Sequence, residues 1–379
     1  MTRSMKAEIY YGPPSWFEER TDTIGSESFL DIVYERDSRA RELVIVQRDA
    51  PPTEDQDPVE GPEHVVVNSG DYASLVEATI SNFGGLIQSI DPKNIYLNNP
   101  PQVVRSHVQR IAEVTEIHYN YGGFNPRLLR EFYDGFNDHL VGQGSVKNEL
   151  LAAMYPLASQ KGNGPVVVMF YGPSGVGKTE TAKFISKLTG GDLFRKQFSM
   201  LHSEKFASYV FGGSHQEPSL AHDLMERESN VILFDEFDKA SPVFHSAFYE
   251  LFDEGVLEDK NYRTKVGSPL IICTSNYGSE EAVKKALGEA LYSRFNAFIE
   301  FHPLSVEEVS LIADQLIDSK VGKLDSTEQA QLNVDSIRTK MKQYAGQLGN
   351  VRKLSSSIDQ VIGFELATSL LKKAQSERP

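Results

Sequence analysis

VVVMFYGPSGVGKTETAKFISKL, residues 166–188, decides the fold. Its first six residues, Val166–Tyr171, are apolar without alternation, the pattern of a strand buried on both faces. A turn holding three glycines follows, then a helical run from Lys178 to Leu188. Residues 172–179, GPSGVGKT, satisfy the pattern G-x-x-x-x-G-K-[ST] in full. Glycines let backbone N–H groups in such a turn converge on a phosphate, and the helix start adds partial positive charge. Gly172, Pro173, Ser174, Gly175, Val176, Gly177, Lys178, Thr179 and Glu180 are therefore the candidate triphosphate-binding residues. Lys178 is expected to reach the β- and γ-phosphates of ATP, and the Thr179 hydroxyl to bind magnesium.

A second stretch, VILFDEFDK at Val231–Lys239, reinforces the first. Four apolar residues predict a central strand, and Asp235 at its carboxyl end can hold the magnesium through water. Glu236 beside it is placed to polarise the attacking water as general base. Asp238 reads as a surface carboxylate rather than a third member of this set.

Working outward, residues 7–49 contain AEIYYG, SFLDIVYE and ELVIVQRD, each rich in β-branched and aromatic residues and read as a strand. Ala50–Glu63, with its prolines and acids, reads as a surface loop. HVVVNSG predicts a strand, DYASLVEATISNF a helix starting near Asp71, and Pro101–Glu113 a further helix; NIYLNNP and TEIHYNY complete a small α+β module. A seam near Tyr121–Gly123 precedes a helix over Pro126–His139, and from about Pro303 the chain is nearly all amphipathic helix. The expected division is 1–121 for an N-terminal α+β docking domain, 122–302 for an α/β nucleotide-binding domain, and 303–379 for a helical lid.

The order and wording of these pieces resemble the AAA+ superfamily, specifically its Clp-type unfoldase branch, over about Asp138 to Leu354. LVGQ at Leu140–Gln143 resembles the segment that packs on adenine, which makes Leu140 and Val141 candidate base contacts. FDEFDKASPVFHSAFYELFDEGVLEDKNYRTKVGSPLIICTSNYGS resembles that branch's run from the acidic strand through a hairpin to the next strand. Torsin-type ATPases share the pattern, but they are secretory and MTRSMKAEIYYG lacks the apolar core of a secretion signal. The resemblance implies an α/β P-loop NTPase core with a C-terminal helical lid. It implies that Asn276 orients the attacking water or touches the γ-phosphate. It also implies that Arg294 is a finger entering the neighbouring subunit's site, and that Arg352 senses the γ-phosphate in cis. The implied activity is ATP hydrolysis by a homo-oligomer, a hexameric ring, acting on a protein client.

The stretch Phe206–Leu224 departs from the threading members of that branch, because the Gly-Tyr-aliphatic-Gly tip of their pore loop is absent. An ATP-gated oligomeric switch that recruits a separate effector is therefore the alternative to client remodelling, and a DNA-directed loader is the third reading. The formal charge of −15 disfavours the third, since an acidic surface repels phosphate backbones. Residues 1–120 carry 20 acidic and 10 basic side chains, so most of that excess lies there. A single cysteine, Cys273 in an apolar run, excludes an intramolecular disulfide and reads as a buried small apolar residue. No uninterrupted apolar run reaches the length of a membrane span, so the expected setting is cytoplasmic.

Overall fold

The computed structural model describes residues 5–46, 61–159, 164–200, 203–345 and 349–376. Strands β1 (Met5–Tyr11), β2 (Glu27–Ser28), β3 (His64–Val67), β4 (Asn94–Asn98) and β5 (Ala112–His118) form one sheet. Its order is β2-β3-β4-β1-β5, and every pairing is parallel. Parallel neighbours need crossovers, and helices such as Phe29–Val46 and Gln102–Ile111 supply them. The helix and strand mixture expected of residues 1–121 is thus organised as a parallel α/β sheet.

Two segments expected as strands are helical. SFLDIVYE beyond Ser28, and ELVIVQRD as far as Val46, belong to one helix, Phe29–Val46. The remainder of ELVIVQRD and most of the expected loop Ala50–Glu63 lie outside the described residues. Phe29, Leu30, Ile32 and Val33 recur at helical spacing and pack on a core with Val65, Val67 and Phe83. The intervening Glu- and Arg-rich run favours helix, and this packing outweighs the β preference of single branched residues. Conversely, the helix expected from Asp71 is broken into Asp71–Ser74, Glu77–Ser81 and Phe83–Ile90. Leu75 is extended there (φ −87°, ψ 149°). Its carbonyl accepts from His215 Nε2 at 2.7 Å and Gln216 Nε2 at 3.1 Å, so it is committed to the central part of the chain rather than to a helix.

In the centre, β6 (Val166–Tyr171), β7 (Phe194–Gln197) and β8 (Val231–Asp235) precede an antiparallel hairpin of β9 (Val256–Glu258) and β10 (Arg263–Lys265). Strands β11 (Leu270–Thr274) and β12 (Ala297–Glu300) complete a parallel sheet of order β12-β6-β11-β8-β7. Both of its faces are covered. Val166, Val168 and Phe170 enter one core with Leu150 and Ile185, and Val167, Met169 and Tyr171 the other with Phe234 and Leu251. Full burial of each such aliphatic side chain contributes roughly 1.5–3 kcal/mol, which explains why β6 reads as an unbroken apolar run. Cys273 sits within β11, where burial pushes its thiol pKa well up and keeps it neutral.

Because β11 lies between β6 and β8, the carboxyl ends of the three strands stand in a row at about 4.8 Å spacing. The chain then passes to helices Val306–Val321, Ser326–Gln329, Val334–Tyr344 and Val351–Ser376. The first begins at a capping box, with Ser305 and Glu308 each bonding the other's backbone N–H. Val309, Ala313, Ile317, Ile337, Leu354 and Ile358 form the separate core of this lid.

Candidate active site

The glycine turn leaves β6 with Gly172, Gly175 and Gly177 at φ 124°, 81° and 113°. A Cβ on Gly175 would lie 2.2 Å from Asn350 Oδ1, and one on Gly177 2.6 Å from Leu140 Cδ1. Both positions are therefore closed to a side chain by conformation and by space. The helix Lys178–Thr189 starts directly from the turn, so its first N–H groups face the loop. Lys178 is buried, and its Nζ donates to Gly172 O at 2.6 Å, Pro173 O at 2.8 Å and Asn276 Oδ1 at 3.3 Å. Burial lowers its pKa to about 8, against the partial opposition of the nearby Asp235 and Asp238 carboxylates.

Across the row, Asp235 ends β8. Its Oδ1 accepts from Thr274 Oγ1 at 2.5 Å and its Oδ2 from Arg195 Nε at 3.0 Å. Glu236 has the left-handed backbone (φ 54°), which turns its side chain away from the strand direction. Such a conformation costs a non-glycine residue on the order of 1 kcal/mol and persists only where surrounding contacts enforce it. Here the Glu236 N–H donates to Thr274 Oγ1 at 2.9 Å, and Gln197 Nε2 donates to Glu236 Oε2 at 3.2 Å. One threonine hydroxyl thus orients both acidic residues.

Asp238 corrects its sequence reading. Its side chain is 3% exposed, it pairs with Lys239 at 3.0 Å, and its Oδ1 has no hydrogen-bond partner among the described residues. It sits in the short 3-10 turn Phe237–Lys239, which folds back from the strand end instead of running out to solvent.

These groups share a cavity of about 730 Å³. Ser174 to Glu180, Asp235, Glu236 and Asn276 line its floor, while Leu140 and Val141 form one apolar wall. Ile312 and Leu316 of the lid face them, and Arg352 closes the cavity from the helix Val351–Ser376. The lid touches the glycine turn directly, since Val351 N donates to Gly175 O at 3.1 Å and Asn350 Nδ2 to Ser174 O at 3.0 Å. Gln143 fixes LVGQ against the joint between sheet and lid through paired bonds with the His302 backbone, at 2.9 and 3.2 Å. Arg294 is not among the residues lining this cavity. Its Nε donates to Asp253 Oδ2 at 2.9 Å, its guanidinium lies 4.1 Å above the Tyr249 ring, and Nη1 bonds the Ala290 carbonyl.

The donor set fits a hard divalent cation, because Thr179 offers a hydroxyl and Asp235 a carboxylate in the same cavity. Sequence reading missed Arg195, Gln197, Thr274 and Asn350. The signal available for Thr274 was its place two residues before Asn276 in LIICTSN; Arg195 and Gln197 lie on an adjacent strand that carries no motif.

If Lys178 meets a nucleotide phosphate, as its place in the glycine turn leads one to expect, its environment makes nucleotide affinity depend on pH. A phosphate must meet the protonated ammonium, so binding raises the pKa and takes up a proton once the free group has titrated. Affinity is therefore full well below pH 8, half lost near it, and falls steadily above it. The dissociation constant of a fluorescent ATP analogue is expected to be about tenfold weaker at pH 9 than at pH 7. A flat profile across that range would remove the neutral-lysine explanation.

Comparison with known proteins places this geometry. Residues 164–302 match the family model described as AAA domain (Cdc48 subfamily). The chaperone protein ClpB of Corynebacterium diphtheriae is 30% identical over 222 residues, covering 54% of this chain and 26% of that protein. ClpB of Aquifex aeolicus is 32% identical over 185 residues, covering 39% and 18%. The chain thus spans about a quarter or less of the length of these relatives. A closed-state cryo-EM reconstruction of Hsp104 with ATPγS and FITC-casein superposes with a TM-score of 0.57 at 15% identity, covering 98% of this chain and 89% of that one. That likeness is one of fold. No helix among the described residues is long and apolar enough to cross a membrane.

Proposed function

We propose that this chain is an AAA+ ATPase of the Clp type that hydrolyses ATP at the subunit interfaces of a ring and remodels a protein client. The observation that carries this reading is a division of labour. Lys178, Glu236, Asn276 and Arg352 line one cavity, while Arg294 lies outside it, paired with Asp253.

Lys178 exchanges its loop carbonyls for phosphate oxygens, and Asn276, already bonded to it, holds the attacking water or the γ-phosphate. Glu236, fixed by Thr274 and Gln197, accepts the proton of that water. Thr179 and Asp235 would hold magnesium, which would supply neutralisation of the charge that develops on the transferring phosphoryl group. Leu140 and Val141 enclose the adenine against Ile312 and Leu316. Arg352 moves with the lid, so its contact with the γ-phosphate couples nucleotide state to lid position. Arg294 of one subunit completes the site of the next, which makes a homo-oligomer, a hexamer, the working form. The parts are 1–121 for docking a client or effector, 122–302 for nucleotide, and 303–379 for the lid, in a cytoplasmic setting.

One observation favours the second reading, an ATP-gated switch. In the stretch Phe206–Leu224, Phe206, Tyr209 and Val210 are buried in the sheet core. Beyond them, His215 is clamped between Leu75 O and Glu77 Oε2, both at 2.7 Å. A loop that grips polypeptide in an axial channel must project freely, and this one is tied at His215 to the Leu75–Glu77 segment of the N-terminal part.

A folded fluorescent protein with an unstructured tail separates the readings. ATP-dependent loss of its fluorescence is expected for a remodeller. Undiminished fluorescence during steady ATP turnover would leave the switch, and failure to bind ATP would sink both.

A further inference from the structure

A second cavity, of about 560 Å³, lies between the N-terminal sheet and the β9–β10 hairpin and shares no lining residue with the nucleotide cavity. Its charge is unlike that of the chain around it. In a protein of net charge −15, the lining holds Arg105, Arg227, Arg263 and Lys265 against one carboxylate, Glu116. Two of these cations are neutralised, Arg105 by Glu116 at 2.7 Å and Arg263 by Glu258 at 3.3 Å. Arg227 and Lys265 have no carboxylate partner among the described residues.

Arg227 is the unusual one. It is 3% exposed, and its Nη1 and Nη2 donate to Leu224 O and Val266 O, both at 2.7 Å. Its Nε has no hydrogen-bond partner among the described residues, and its guanidinium lies 3.8 Å over the Tyr121 ring. Burial pulls its pKa down, yet an arginine stays charged in proteins, so an uncompensated cation is held inside. Lys265 adds a second charge from the exposed side of β10.

Four aromatic rings add to the lining, beside Met225 and Val266. Tyr11 stacks on His118 at 5.0 Å, and Tyr119 meets Tyr121 edge-on at 4.9 Å. Two cations without a carboxylate partner, Arg227 with an unpaired Nε and the exposed Lys265, suit a dianion such as a phosphate monoester, and aromatic rings suit a planar ring. The volume lies within the range of small-ligand sites.

We propose that this cleft binds a small phosphate-bearing ligand with a planar ring, of the nucleoside phosphate class, with Arg227 and Lys265 facing the phosphate and the tyrosines facing the ring. Such a ligand touches the N-terminal sheet and the hairpin at once, so it clamps the N-terminal part onto the nucleotide-binding part. The proposal does not depend on the chemistry assigned to the glycine turn.

The test uses a built-in reporter. Trp16 is the sole tryptophan, and its ring lies 5.4 Å from that of Tyr119. Titrating AMP into the full-length chain is expected to change Trp16 emission saturably. The Lys265→Glu variant, altered at an exposed position that leaves the fold intact, is expected to shift the midpoint at least about tenfold upward. Lys178→Ala is expected to leave the midpoint unchanged, and it is the shift in Lys265→Glu, at a residue that lines only this cavity, that assigns the signal to the cleft. Inorganic phosphate is expected to act only at higher concentration than AMP. No saturable change through millimolar AMP, an unmoved midpoint in Lys265→Glu, or loss of the signal in Lys178→Ala would each overturn the proposal. Phosphate acting as strongly as AMP would overturn the ring recognition.

Discussion

Glu236→Gln is expected to bind ATP as the unaltered chain does and to release phosphate about a thousandfold more slowly. The replacement keeps the size of the side chain and an oxygen that can accept from Gln197. The backbone N–H bond to Thr274 is untouched, and glutamine meets the left-handed conformation at position 236 with the same modest strain as glutamate. What disappears is the ability to take a proton. A thousandfold corresponds to about 4 kcal/mol of transition-state stabilisation, far above the effect of one altered surface charge. Phosphate release and the dissociation constant of a fluorescent nucleotide should be measured on the same preparation. Turnover within a few fold of the unaltered chain would show that another group accepts the proton. Asp238, buried and unsatisfied near Lys178, would then be the next residue to change.

The residues that were legible in the sequence are those whose chemistry forces a spacing. The glycine turn needs left-handed backbone at set intervals, and Gly172, Gly175 and Gly177 supply it at the places where a Cβ would clash. The strands β6, β8 and β11 were legible because burial on both faces requires unbroken apolar runs. The N-terminal part was less so. Phe29 to Val46 carries enough branched residues to look like two strands, and the charged run between them together with the packing of its first turns against β3 and Phe83 makes it a helix. Residues that act through tertiary position leave no local trace. Gln197 reaches Glu236 only because β7 pairs with β8 in register, Gln197 opposite Asp235. Arg195 reaches Asp235 by the same pairing. Asp238 was misread because a carboxylate beside a lysine normally marks a surface, and the tight turn after Glu236 folds it inward.

Arg294→Ala is expected to keep the fold and nucleotide affinity and to lose turnover by about a thousandfold or more. Within its own subunit Arg294 makes a partly exposed ion pair with Asp253, packs on Tyr249 and bonds the Ala290 carbonyl. An ion pair of that exposure contributes at most about 1 kcal/mol, so the melting temperature should move little. Arg294 does not line its own subunit's nucleotide cavity, so affinity should be unaffected if the arginine serves a neighbour. Arg294→Lys keeps the charge but loses the planar fork, and only a minor fraction of turnover is expected to return. The decisive experiment co-expresses Arg294→Ala with Lys178→Ala and purifies mixed assemblies. At an interface where the Arg294→Ala subunit holds nucleotide and the Lys178→Ala subunit supplies its intact arginine, a complete site is rebuilt. With equal mixing that describes about a quarter of the interfaces of a ring, so activity should rise above that of either variant alone. An arginine acting in cis rebuilds no site in any mixture. Full activity of Arg294→Ala by itself would eliminate the finger, and with it the reason for hydrolysis to depend on assembly.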